Sequence, residues 1–205
     1  MLVIPVLAVK SNCVITKVGD PAGQPAIPAE CLEEQAGGGP VAGSGKVPLY
    51  KQWDPRWAYK SYGCGNNMSE AACGPTSLAM VMSYYTGREI LPPETADVSM
   101  SHGWRLCGIG TAWAAMTGMP TLPQYNLHSK SISWNEAKKY LEKGMSIIQS
   151  QGEGYFTSGG HFIVITGVSS DGKTFYINDP DGRHRTSATE SQITVSMKAQ
   201  WAITK

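Results

Sequence analysis

The chain has 205 residues, a formal net charge of +1, and charged residues at only 16%. That balance gives no clustered basic face for nucleic acid, and no run reaches the roughly 18 apolar residues of a membrane-spanning helix. The length suits one domain of ordinary size plus a tail, enough to bury a real core.

Residues 1–9 read MLVIPVLAV, apolar but with no basic start and no small-residue cleavage site. Two readings stand open: the remnant of a signal or membrane tether whose upstream part is missing, or a disordered or locally docked N-terminus. Residues 10–46 are rich in Gly, Pro and Ala, with Gly37-Gly38-Gly39-Pro40 and Gly43-Ser44-Gly45. This composition predicts a flexible linker without a fold of its own, and hence a division into residues 1–46 and a domain of residues 47–205.

The domain opens on residues 47–53, a short strand or extended entry, followed by an Asp54-Pro55 turn and a polar loop over residues 62–70. Next comes Ala72-Cys73-Gly74-Pro75-Thr76-Ser77-Leu78-Ala79-Met80-Val81-Met82. Leu78, Val81, Met82 and Tyr85 fall at i, i+3, i+4 and i+7, one apolar helical face. Gly74 and Pro75 suit entry into a first turn, and Gly87 a C-terminal cap. A thiol at this helix head faces unpaired N–H groups and the positive end of the helix dipole, which favour the reactive thiolate.

Pro92-Pro93 predicts the start of a short helix, and residues 111–118 another. Residues 120–130 read as loop. Ser133-Trp134-Asn135-Glu136 is a capping box for a helix ending at Gly144. The period then changes. Residues 145–150, 161–168, 173–178 and 192–203 read as strands, with a Ser169-Ser170-Asp171-Gly172 turn joining the second and third. Helices first and antiparallel strands after is an α+β pattern.

Five cysteines, Cys13, Cys31, Cys64, Cys73 and Cys107, contain no CxxC pair, which argues against a structural zinc knuckle. In an oxidising compartment an odd count leaves one thiol free. Cys13 and Cys31 lie in the predicted linker and could bond each other.

With a turn near Asp171, His161 faces residue 181 across the hairpin and Asp179 faces residue 163, so both occupy one end of it. Neighbours there lie within about 8 Å. Cys73, His161 and Asp179 thus supply a nucleophile, a base and an orienter. Gln52, just upstream, is the best candidate oxyanion donor, with the Cys73 N–H as a second and with Asn66 and Asn67 as rivals.

The order Gln52, Cys73-Gly74-Pro75-Thr76-Ser77, Gly160-His161-Phe162-Ile163-Val164 and Asn178-Asp179-Pro180 resembles a papain-like cysteine peptidase, in the free-standing branch related to bacteriocin leader peptidases. Gly110-Thr111 before Trp113 resembles that branch too. The resemblance implies Cys73 as nucleophile, His161 as general base and acid, Asp179 as orienter and Gln52 in the oxyanion hole. It also implies a helix-then-sheet papain-like fold over residues 47–204, no cofactor, and an extracellular or cell-envelope setting. The substrate is then a peptide amide, with peptidoglycan stem peptides or cross-bridges as an alternative. A catalytically silent binding module is the reading from another class.

Cys64 and Cys107 flank the expected cleft, and a disulfide between them is expected. A zinc site from Cys64, Cys73, Cys107 and His161 is weakly supported, because no two ligands are closely spaced. His102, His128 and His184 read as surface residues, and Trp53, Trp57, Trp104 and Trp113 as candidates to line the cleft. A monomer is expected.

Overall fold

The structure is a computed structural model that describes residues 8–9, 32–33, 46–182 and 185–205. The chain divides into two units, Met1–Gly38 and Gly39–Lys205. In the first, Ala8–Val9 (β1) pairs antiparallel with Leu32–Glu33 (β2), within the N-terminal region expected to lack a fold of its own. The expected tether or docked segment at residues 1–7, the Cys13–Cys31 pairing and the surface position of His184 lie outside the described residues.

The second unit is built around one helix. Cys73–Thr86 (α2) starts at Cys73 and ends on Gly87, whose left-handed backbone (φ 69°) lets its N–H reach Ser83 O. The sequence predicts a single apolar face, but every residue from Gly74 to Ser83 is buried. The reason lies in its small residues. Gly74, Ser77 and Ala79 let neighbours approach from several sides, and a Cβ on Gly74 would lie 2.6 Å from Thr111 Oγ1. A helix apolar or small all round is a core helix.

Around α2 stand Met68–Ala71 (α1), Pro92–Ser101 (α3) and a two-rung hairpin of Arg105–Leu106 (β3) and Gly110–Thr111 (β4). Ala114–Gly118 (α4) follows. The helix expected from Thr111 therefore starts three residues later, because Thr111 is spent in β4. The polar loop over residues 62–70 ends in α1, which Asn67 caps together with Glu70. Residues 47–51 form an entry segment that pairs with no strand among the described residues, and residues 52–53 begin a turn.

The remaining elements are His128–Ser131 (β5), Trp134–Glu142 (α5), Ile147–Gln151 (β6), His161–Val168 (β7), Phe175–Asn178 (β8), Ser187–Ala188 (β9), Glu190–Thr194 (α6) and Met197–Thr204 (β10). The six strands form one antiparallel sheet in the order β5-β10-β6-β7-β8-β9. β5 replaces part of the expected 120–130 loop. α6, capped by Thr189 and Gln192, occupies the start of the stretch expected as the last strand.

β6 is buried throughout, and so are the first five residues of β7, because the sheet is covered on both faces. Ile148, Phe162, Val164 and Trp201 pack with α2, while Ile147, Ile163, Ile165 and Ala202 pack with α5 and α6. This is the expected α+β arrangement of N-terminal helices on a C-terminal antiparallel sheet.

The expected Cys64–Cys107 disulfide is present, closing a loop between residues 43 apart. It fastens the Gly63-Cys64-Gly65 turn, all three residues left-handed, to the loop joining β3 and β4. The Cys64→Ser, Cys107→Ser double variant should lose about 4 kcal/mol by the chain-entropy relation for a loop of this size. Urea unfolding checks this; a loss under about 1 kcal/mol would show that the bridge does not restrain this loop.

Candidate functional site

Cys73 sits at the first position of α2, half-buried, and is the free thiol among the described residues. Ala72, before it, provides no side-chain cap, so the helix-head N–H groups are not consumed by one. In front of the thiol opens a cleft of about 230 Å³. Asn66, Glu70, Arg105, Ile109, Gly110 and Gly160 are among its walls.

Arg105 makes one wall rigid. Its guanidinium donates to Tyr62 O at 2.8 Å, Leu106 O at 2.7 Å, Gly110 O at 3.1 Å and Asn66 Oδ1 at 2.8 Å, and it lies over the Tyr62 ring. Tyr62 is fully buried, its hydroxyl between Ser99 and Thr111.

His161 opens β7 opposite Gln151 and is 7% exposed. Its Nε2 lies 2.7 Å from Asp179 Oδ1. The β7–β8 ladder pairs Val164 with Asn178 and Ile165 with Ile177, so its continuation sets residue 163 against Asp179, as the turn at Asp171 predicts. With Nε2 on Asp179, Nδ1 is the nitrogen left for Cys73. Burial alone would strip the imidazole of its charge. The hydrogen bond to Asp179, then the hydrogen bond and charge interaction with Cys73, outweigh it and push His161 up to about 10.

Asp179 is fully buried. Its Oδ1 also accepts the N–H groups of Asp181, at 3.0 Å, and Gly182, at 2.8 Å. Burial works to raise its carboxyl, but His161 and these two N–H groups hold it below the usual carboxylate range. Gly182 is required: a Cβ there would lie 2.5 Å from Asp179 Cγ. Arg185 comes within 3.7 Å of Oδ2 and donates to Phe156 O at 2.6 Å, tying the loop before His161 to the loop after Asp179.

The entry segment is stitched onto this turn. Lys51 Nζ donates to Asp179 O at 2.7 Å and Gly182 O at 2.5 Å, and burial lowers its ammonium below the usual range. The Gln52 N–H reaches Pro180 O at 2.9 Å, Trp53 Nε1 reaches Asp181 O at 3.2 Å, and Asn178 Nδ2 reaches Val47 O and Pro48 O. The side chain of Gln52, 4% exposed, donates to Ser69 O at 2.7 Å, four residues before Cys73. Gln52 therefore spans from the Asp179 turn to the helix leading into Cys73, with one amide N–H to spare. Its rivals are committed elsewhere: Asn67 caps α1, and Asn66 is held by Arg105 and Glu70.

Lys51, Arg105 and Arg185 carry no signal in the sequence that marks them for this site. Only Pro180-Asp181-Gly182 carried a signal, as turn chemistry. Of the four proposed zinc ligands, Cys64 and Cys107 are spent in the disulfide. The tryptophans do not line the Cys73 cleft. Trp57 is core, Trp104 packs on Gly118 and stacks with His102, and Trp53 lies on the Asp179 turn. Trp113 lines a neighbouring groove. His102 and His128 are exposed, as expected.

The model of the Peptidase_C39 like family matches residues 45–205. A C39-like peptidase from Bacillus anthracis superposes with a TM-score of 0.52 at 12% identity, covering 79% of this chain and 96% of that one. The peptidase domain of Streptococcus ComA, a bifunctional ABC transporter involved in quorum sensing, superposes with a TM-score of 0.50 at 16% identity, covering 77% and 96%. No curated protein matches. These likenesses show the papain-like fold, and the family match over most of the length shows the rest: the chain belongs to the Peptidase_C39 like family and is a cysteine peptidase.

Proposed function

We propose that Cys73, His161 and Asp179 are the catalytic set of this peptidase and that Gln52 helps hold its oxyanion. The observation that carries this reading is the buried 2.7 Å bond between His161 and Asp179, with His161 also interacting with the free thiol of Cys73 at a helix head. The Cys73 thiolate attacks the carbonyl carbon of a peptide amide. Charge builds on the carbonyl oxygen and is taken by the spare Gln52 N–H and the Cys73 backbone N–H. The C–N bond breaks as His161 protonates the departing amine, leaving a thioester on Cys73. His161 then takes a proton from water, which attacks the thioester and frees the thiolate. Asp179 stays ionised and orients the ring. A setting outside the reducing cytosol is part of this reading, supported by the Cys64–Cys107 bridge.

Internally quenched peptide pools, read with new amine ends by mass spectrometry, test the reading. Wild type should cleave, Cys73→Ala should not, and His161→Ala should fall by at least about 10³-fold, as for groups acting as one unit. Cleavage by Cys73→Ala at the wild-type rate would remove Cys73 from the chemistry. Gln52→Ala should lower kcat about 10²-fold with little change in KM, the pattern of a lost oxyanion donor; a change confined to KM would place Gln52 in ground-state binding instead.

The pH dependence has a definite sign. His161 is raised from 6.5 to about 10 on folding, so the stability it contributes is complete below pH 6.5 and is lost as pH rises toward 10. Asp179→Asn removes a cause of that rise. The variant should lose less stability than wild type over this window, and the alkaline limb of its pH–rate profile should move down by more than one pH unit. An unmoved limb would show that Asp179 does not set the charge of His161.

A further inference from the structure

β10 has eight residues, but β5 pairs only with residues 201–204 of it. On the other side β6 pairs along Met197, Ala199, Gln200, Trp201 and Ala202. Among the described residues, 197–199 therefore have a neighbouring strand on one side only. Their other edge faces a shallow groove of about 550 Å³, walled by Trp113 and Thr117 of the α4 region, by Ile132 ahead of α5 and by Trp134 at its start. Trp113 is 50% exposed, yet fixed: its Nε1 donates to Ser150 Oγ at 3.2 Å and its ring meets Trp201 edge-on.

An open strand edge recognises one kind of occupant, an extended peptide backbone that completes the ladder. This edge is also held in place. Ser196 Oγ donates to Gln151 Oε1 at 2.7 Å, and the Gly152 N–H reaches Ser196 O at 2.7 Å. Exposed Lys198 and the register shift between Met197 and Ala199 guard it against another flat sheet. What remains admissible is a single strand laid between aromatic walls.

The groove and the Cys73 cleft share no wall residue, and two short paths connect them. Across the sheet, His161 pairs with Gln151 and Gln151 with Met197, two strand spacings or roughly 10 Å. Along the opposite wall, Gly110 lines the cleft and Trp113, three residues on, lines the groove. The departing amine must lie beside His161 to take its proton, so the chain that continues from it runs on the His161 side. At about 3.3 Å per extended residue, the third residue past the cut reaches the groove.

We propose that this groove binds the leaving-side segment of the peptide substrate, from about the third residue past the scissile bond, as a strand added to residues 197–199. The proposal rests on the catalytic reading above for its direction.

Two measurements test it. The first uses binding alone. Cys73→Ala protein is mixed with a saturating library of degenerate acetylated, amidated decapeptides, and amide hydrogen exchange is followed. Protection of residues 197–199 is expected, and its loss in Cys73→Ala, Trp113→Ala. Protection confined to residues 108–110 and 160, or none, would overturn the proposal whether or not the protein turns anything over. The second compares two substrate pools with wild type: peptidyl aminomethylcoumarins, with no chain past the cut, and internally quenched peptides with six residues past it. Trp113→Ala, and N-methylation of the third to fifth residues past the cut, should each lower kcat/KM on the long pool at least tenfold. Trp113→Ala should leave the coumarin pool within twofold. Equal losses on both pools, or none on the long pool, would overturn the proposal. Turnover of neither pool by wild type, with residues 197–199 still protected, would instead count against the catalytic reading.

Discussion

The fully buried carboxylate of Asp179 is the constraint around which the site is arranged. A lone charge in that position would cost several kcal/mol in lost hydration. It is kept by three donors to one oxygen, the His161 ring and the N–H groups of Asp181 and Gly182, with Arg185 near the other. Gly182 must lack a side chain for this turn to close, and Lys51 clamps two carbonyls of the same turn. The imidazole is thereby fixed in direction before any substrate arrives, and its charged form is favoured, the kind of preorganisation on which acyl-transfer chemistry depends.

Two rigid parts meet at the cleft. One is α2, buried on all sides, which carries the Cys73 thiol at its head. The other is the sheet, which carries His161 at the start of its most buried strand pair. The entry segment joins them: Lys51 and the Gln52 backbone hold the Asp179 turn, while the Gln52 side chain holds Ser69. The disulfide and the Arg105 fork fix the outer wall. These supports lie far apart in sequence, so the site's geometry is a product of the tertiary structure rather than of any local motif.

That division explains what could be read from the chain. The thiol's place was visible because Gly-Pro after Cys73 and Gly87 mark the ends of one helix. The His161–Asp179 pairing was visible because a hairpin turn near Asp171 sets both residues at one end, and the register shift between Ile165 and Gly167 moves the ladder by only one residue. The capping box at Ser133 marks α5, and the same pattern at Thr189 and Gln192 marks α6, whose last three residues fall in the stretch expected as the last strand. β5 is polar and pairs only at an edge, so alternation gave no sign of it. Lys51 and Arg185 carry no pattern, because what they do depends on carbonyls more than a hundred and about thirty residues away respectively. The aromatic residues misled for the same reason: Trp57 and Trp104 were placed by packing, not by the cleft.

The central claim is that Cys73 forms a covalent acyl intermediate with a peptide while His161, held by Asp179, manages the protons. Acid quenching of wild-type protein within the first turnover on a peptide pool, followed by mass analysis of the fragment containing Cys73, tests this most directly. The account predicts an acyl adduct on Cys73 that hydroxylamine removes and that persists longer in Asp179→Asn. Peptide cleavage with no adduct on Cys73 at any time in the turnover would contradict it.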